Sequence, residues 1–333
     1  MTTQNPIQSN INRGYTFALL GALFLSTTSI FIRYMTLTYQ IPALVLAFWR
    51  NVFVIASLIP ILLVLNKSLL KIKKSHLKFL IIYGFIVAIF NSFWTLSVSI
   101  NGAAVATVLV YCSAGFTVIL GWWLLHERLT WIKVVAVILS LGGCVLVAEA
   151  YQPEMWNTNL AGILTGILSG LSYASYSLMG RSSSQKGLSP WTTLLYSFGF
   201  AGVFLLLFNL IPGDFLIGKA LVASDLMWLG DRWDGWIILI LLAGIPTLGG
   251  FGFYNVSLSY LPSSIANLIA TMEPAFTAVT AYIFLSEQLT PIQIIGSIIT
   301  LTGVVFLRLF QNKNQLQQAA FPQISSQENF IDG

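Results

Sequence analysis

Two charged residues in this chain sit where charge is costly. Arg50 lies inside an unbroken apolar run, residues 42–65, and Glu273 lies in the middle of another, 263–285, directly before Pro274. In a membrane interior such groups face the bundle core or water and mark functional sites. Proline removes a backbone donor, frees a carbonyl and opens the helix locally, which makes Pro274 the candidate hinge. A desolvated carboxyl group at that opening can exchange protons, so Glu273 is the candidate proton-coupling residue. The structural alternative is a bond to a neighbouring helix, with Arg50 as the natural partner, since these two are the clearly interior charges, one of each sign. Arg50 reads either as an anchor for a substrate carboxylate or as a group paired with backbone carbonyls.

The remaining candidates are polar and aromatic. Asn91 and Trp94, Tyr173 and Tyr176, and Tyr254 and Asn255 fall inside apolar runs, as do Tyr111 and Asn267. Buried amides and hydroxyls can hold the polar end of a small metabolite while aromatic rings accept its apolar part. Each of these residues also has a plain reading as a helix-packing residue. At helical spacing, Asn267, Thr271, Pro274, Ala278 and Ala281 share one face, matched by Thr107, Tyr111, Ala114, Val118 and Gly121. Glu273 is off that stripe, with Ala270, Thr277 and Thr280. The two faces compete for the centre of a cavity.

Elements of one kind must position these groups. Hydrophobic residues make up 56% of the 333 and charged residues 8%, with a mean hydropathy of +0.82. A soluble domain carries about a quarter charged residues, so the chain is an integral membrane protein. Its runs are continuous rather than alternating, and lipid forces backbone groups to bond internally, so the spans are helices. Ten runs stand out: 15–36, 42–65, 77–99, 102–125, 131–149, 159–180, 190–211, 235–257, 263–285 and 291–310. Residues 1–14 form a short polar segment, and the Gln-, Asn- and Ser-rich stretch 311–333 reads as a disordered tail.

Twelve of the sixteen Lys and Arg residues fall at the helix ends on the side of the N-terminus. Only Arg33, Lys219 and Arg232 fall at the opposite ends. By the positive-inside bias, both termini are cytoplasmic and the lipid bilayer of the cell (plasma/inner) membrane is the principal partner. The same bias explains the net charge of +5 without a nucleic-acid partner. The loop 212–234 carries Trp228 and, with Trp233 and Trp236, reads as an interfacial anchor, with a lid as the alternative. Cys112 and Cys144 have no disulfide or metal spacing. No cofactor and no metal are expected.

The chain repeats itself. Residues 84–145 align without a gap on 244–305: "FWTLSVS" (93–99) faces "FYNVSLS" (253–259), and Glu127, Leu129 and Thr130 face Glu287, Leu289 and Thr290. The unit, 15–149 and again 159–310, has five helices. An odd number means that the second copy enters from the opposite side. Inverted repeats of this kind build many secondary transporters, with the site at the midplane between the halves. Glu127 and Glu287 mark the repeat corners, as backbone caps or as gating contacts. Thr130 and Thr290 are suited to cap the helices that follow. Gly142, Gly143, Gly296 and Gly303 are small positions that pack internally or against another copy, and the oligomeric state is not legible.

The stretch "SSIANLIATMEPAFTAVTAYIFLSEQLTPIQIIGSIITLTGVVFL" (263–307) resembles the second repeat of the EamA domain transporters of the drug/metabolite transporter superfamily, and "FWRNVF" (48–53) resembles helix 2 of the first repeat. The resemblance covers about 15–310. It implies a ten-helix metabolite exporter or exchanger, often driven by an ion gradient. One departure is Ala114, where the family usually has a proline matching Pro274, so the fourth helix is expected to be straighter than the ninth.

The expectation is therefore an all-α integral membrane protein of two inverted five-helix repeats, moving small metabolites such as amino acids by alternating access, with protons as a candidate coupling ion. Carriage of phosphorylated or nucleotide-linked sugars is disfavoured, because multiply charged phosphates call for several interior cations. A non-transport protein of the same fold is the remaining alternative. An enzyme is not expected: HExxH, GxSxG and phosphate-binding loops are missing from the sequence.

Overall fold

The structure, a computed structural model, describes residues 6–147, 150–156, 160–213, 216–277 and 290–310. Its regular elements are helices: α1 Pro6–Leu25, α2 Thr28–Thr38, α3 Ala43–Leu65, α4 Lys74–Tyr111, α5 Ser113–Leu125, α6 Trp131–Val147, α7 Leu160–Gln185, α8 Pro190–Leu210, α9 Trp233–Leu242, α10 Leu248–Tyr260, α11 Ser263–Ala270 and α12 Pro291–Phe310. Seven helical stretches among the described residues are long and apolar enough to cross a membrane. The expected fifth run is the shorter apolar helix α6, and the sixth is α7, diluted with Ser and Gly. The ninth begins as α11 and resumes at 273–277. Its remainder, with Glu287 and the expected tail 311–333, lies outside the described residues.

The first run differs from expectation at both ends. Helix α1 starts at Pro6 rather than near 15. Its polar first turns are held by α12, where Arg308 Nη2 donates to Asn12 Oδ1 at 3.2 Å and the guanidinium lies 5.0 Å from the Tyr15 ring centre. The run then breaks between Leu25 and Thr28. Ser26 and Thr27 turn their hydroxyls back onto the carbonyls of Leu23 and Phe24, at 2.6 and 3.1 Å, a bond that competes with the helix ladder.

Helix α4 joins two expected spans across Gly102, whose φ of 79° is left-handed and suits glycine. The fourth span, expected to be straighter than the ninth for want of a proline, is interrupted as well. It breaks at Cys112, whose N–H reaches the Leu109 carbonyl in a tightened turn at 3.2 Å. Met272, the equivalent position in the second repeat, makes the same tightened bond to Ile269 at 3.1 Å. Proline accounts for the second break, while the first has no proline and packs closely on α7. A Cβ on Gly170 of α7 would stand 3.0 Å from the Val110 carbonyl and 3.1 Å from that of Leu109, so the displaced carbonyls nest against bare backbone.

The repeat is visible in the packing of α6 on α12. A Cβ on Gly143 would meet the Gly296 carbonyl at 2.7 Å and the backbone of Thr300, and one on Gly303 would meet Ser140 Oγ at 2.8 Å and the Ala136 carbonyl at 3.1 Å. Shifting each number by the repeat offset converts one set of contacts into the other. Small residues let these helices approach closely, within one chain. The repeat corners are capped alike. Thr130 Oγ1 accepts from Lys133 N at 3.4 Å, and Thr290 Oγ1 accepts from Gln293 N at 3.3 Å while Gln293 Oε1 accepts from Thr290 N at 3.0 Å, a complete capping box.

The loop after α8 is tied down. Trp228 Nε1 donates to the Tyr39 carbonyl at 2.9 Å and Trp236 Nε1 to that of Gly230 at 3.0 Å. These two tryptophans therefore staple the loop. Trp233 stays exposed.

Candidate functional site

Where the two halves meet, a small cavity of about 30 Å³ lies between six of the spans. Its wall is Leu25 and Thr28 from the first break, Phe90 and Trp94 from α4, Val110 and Tyr111 from the end of α4, Tyr173 from α7, Phe251 from α10, and Glu273. Tyr111 and Glu273 lie beside the breaks of the fourth and ninth spans, and the Tyr111 hydroxyl donates to Glu273 Oε2. Of the two competing faces of the ninth span, the one bearing Glu273 borders this cavity.

Among the described residues, Glu273 forms no ion pair. The expected Arg50–Glu273 pair is not made: the described salt bridges join Lys133 to Glu127 and Arg232 to Asp234. Glu273 instead takes a hydroxyl donor across the repeat interface, and Arg50 donates to Asn91 Oδ1 at 2.6 Å. Two polar groups on the wall, Thr28 Oγ1 and Tyr173 Oη, have no partner within hydrogen-bonding geometry among the described residues. Buried polar atoms are normally satisfied, so these are groups with spare capacity for a guest.

The other aromatic and amide candidates form a layer against the cavity rather than its wall. Tyr173 stacks on Phe90 at 5.1 Å and on Tyr176 at 6.0 Å. Tyr176 Oη donates to Asn255 Oδ1 at 2.9 Å, and the Tyr254 and Ser177 hydroxyls share a bond of 2.7 Å. Asn267 Nδ2 donates to Ser177 Oγ at 3.2 Å and Asn267 Oδ1 accepts from Ser113 Oγ at 3.1 Å. Asn267 is therefore a cross-link between the fourth and ninth spans and not a cavity residue.

Beyond that layer, at the bundle end rich in Lys and Arg, Glu127 grips the start of α11. Its Oε1 accepts from Ser263 N at 2.7 Å and Ser263 Oγ at 2.6 Å, and its Oε2 accepts from Ser264 N at 3.3 Å and from Ser264 Oγ. Lys133 Nζ donates to Ser264 Oγ at 2.8 Å and stands 3.6 Å from Glu127 Oε2. A carboxylate on a helix N-terminus satisfies orphan N–H groups and the helix dipole together. Arg181 Nη1 holds the preceding corner through the Leu258 carbonyl at 2.9 Å. The corner glutamate thus caps a helix of the opposite repeat, not its own.

Sequence reasoning missed Phe90 and Phe251 on the wall and Ser263 and Ser264 in the grip, and it set Thr28 aside as a residue bonding its own backbone. Phe90 is one turn from Trp94 and Phe251 one turn from Tyr254, so the same-face rule held a signal for both. Thr28 and the serines carried none, because Ser and Thr in apolar helices usually bond their own backbone.

The profile of the EamA-like transporter family matches residues 12–148 and again 160–309, the same two halves that the packing of α6 on α12 relates. The chain is 28% identical over 202 residues to an "Uncharacterized transporter" of Archaeoglobus fulgidus, a match spanning 61% of this chain and 66% of that protein. It is 30% identical over 148 residues to the "Threonine/homoserine exporter RhtA" of Escherichia coli, covering 43% of each. A crystal structure of another protein superposes with a TM-score of 0.67 at 15% identity, covering 89% of this chain and 96% of that one, which shows a shared fold. With both halves matched by one family and the helices apolar enough to span lipid, the chain is a multi-pass membrane protein and belongs to the EamA-like transporter family.

Proposed function

We propose that this protein is a secondary transporter that exports small amphipathic metabolites, amino acids or compounds of that kind, across the plasma membrane, with proton coupling through Glu273. In this reading ten spans form two inverted five-helix repeats with both termini in the cytoplasm. The observation that carries the reading is the cavity wall: an unpaired carboxyl group held by one hydroxyl, two hydroxyls with spare capacity, and aromatic surfaces, gathered where two repeats meet. Inverted-repeat carriers place their sites there. Once the repeats part and widen the site, a small zwitterion matches that mixture, with its ammonium group at Glu273 and its side chain against Trp94 and Phe90. The similarity to an exporter of threonine and homoserine agrees with this size class.

Transport is the displacement of one repeat against the other around that site. In the described conformation the aromatic layer and the Glu127 grip stand between the cavity and the basic end, which in this orientation is the cytoplasmic end. Export requires both to open. A proton on Glu273 and an ammonium group cannot occupy the carboxylate together, so their exchange gives a route for coupling. The test is counterflow in vesicles reconstituted with the protein, screening L-threonine and other small amino acids against neutral polar metabolites. Saturable exchange in wild type that is abolished by Thr28→Phe, which fills the cavity, supports the site. Equal exchange in the two proteins would place the pathway elsewhere.

A further inference from the structure

Arg50 is buried to 1% exposure, yet among the described residues it has no carboxylate and no carbonyl of the main chain as partner. Its one hydrogen bond is from Nη2 to Asn91 Oδ1 at 2.6 Å, and both Nε and Nη1 are buried without a partner. The surrounding amides cannot turn to help. Asn91 Nδ2 donates onward to Asn51 Oδ1 at 3.2 Å, and Asn51 Nδ2 donates to the Ala47 carbonyl at 2.7 Å. The chain of bonds runs in one direction and ends on the main chain, leaving the guanidinium as a surplus of donors. One turn along the same face of α4 from Asn91, the Thr95 hydroxyl is also buried and unpartnered.

A guanidinium removed from water is costly unless an anion or well-placed acceptors compensate it, and its fork of N–H groups matches a carboxylate. We propose that Arg50, oriented by Asn91 and joined by Thr95, is a binding site for one small monovalent anion. This site is separate from the cavity, whose wall includes Phe90 and Trp94 on either side of Asn91 but not Arg50. A single cation with neutral amide neighbours sets the class at one negative charge. A carboxylate and a chloride ion share that chemistry, and phosphate dianions do not fit it.

The site is tested by stability, which needs no transported substrate and so stands or falls apart from the transport reading. Protein in lipid nanodiscs is unfolded thermally in titrations of sodium acetate, sodium chloride and, as the uncharged control, acetamide. A ligand that binds only the folded state raises the midpoint with concentration. The expected result is a saturable rise of several degrees with one or both anions, none with acetamide, and loss of the rise in Arg50→Gln. Preference for acetate identifies a carboxylate site, and preference for chloride a halide site. Thr95→Val removes a hydroxyl that bonds nothing and should fold normally. It should weaken the apparent affinity several-fold, which keeps the test open if Arg50→Gln fails to fold. No rise in wild type, an equal rise with acetamide, or unchanged responses in the folded variants would overturn the site.

Discussion

The Tyr111 hydroxyl, from the first repeat, is bonded to the Glu273 carboxylate, from the second. Each residue lies beside the break in its own span, one at Cys112 and the other at Thr271–Met272. The bond therefore ties the two breaks to each other across the cavity. Any rearrangement at either break must part this bond or carry its partner along.

Tyr111→Phe removes the donor and keeps the ring. A hydrogen bond to a charged group contributes about 1.5–3 kcal/mol, so acceleration of uptake by a pH gradient should fall by roughly tenfold or more. Counterflow at equal pH should fall less, because the cavity keeps its shape. Parallel measurement of the two rates in vesicles checks this, and equal losses in both would point to a folding defect.

The contact between α6 and α12 gives a matched pair of predictions. Gly143→Ala and Gly303→Ala each push a methyl group into the facing helix, and overpacking of this kind costs about 1–3 kcal/mol. Gly142→Ala faces open space and should be neutral or slightly stabilising, since alanine exceeds glycine in helix propensity by about 1 kcal/mol. Thermal unfolding in detergent should rank the three accordingly, with the Gly143 and Gly303 variants alike.

This pair also shows how far the sequence was legible. The gapless register of 84–145 on 244–305 carried the duplication, the matched glycines and the Thr130 and Thr290 caps, because all three depend on residue type at a fixed offset, while the sequence left open what the glycines pack against. The break at Cys112 was hidden, because no proline marks it and the glycine it packs against, Gly170, belongs to another helix. The partners of Arg50 and Glu273 were misjudged for a related reason. Opposite charge in two interior helices suggests a pair, but the side chains they reach are set by helix rotation and by the hinge geometry. The loop tryptophans were legible as aromatic but not as staples, since indole N–H bonds depend on where the main chain turns.

The Glu127 grip predicts a gate-like response. Glu127→Ala leaves the N–H groups and hydroxyls of Ser263 and Ser264 without their acceptor, at about 1–3 kcal/mol for each buried group left unsatisfied. The basic end should open more often. In a background lacking Cys112 and Cys144, a cysteine placed at Tyr254 should react with a membrane-impermeant thiol reagent several-fold faster when Glu127→Ala is added. Glu127→Gln keeps acceptor capacity and should give an intermediate rate. Identical labelling in all three would reduce the grip to a static cap.

The central claim is that the cavity carboxyl group couples transport to protons. The most direct measurement is uptake into reconstituted vesicles of a substrate found by counterflow, with and without an imposed pH gradient, in wild type and Glu273→Gln. The account predicts that the gradient accelerates wild type, and that the variant loses the acceleration while still exchanging substrate at equal pH. A variant that matches wild type under both conditions would contradict it.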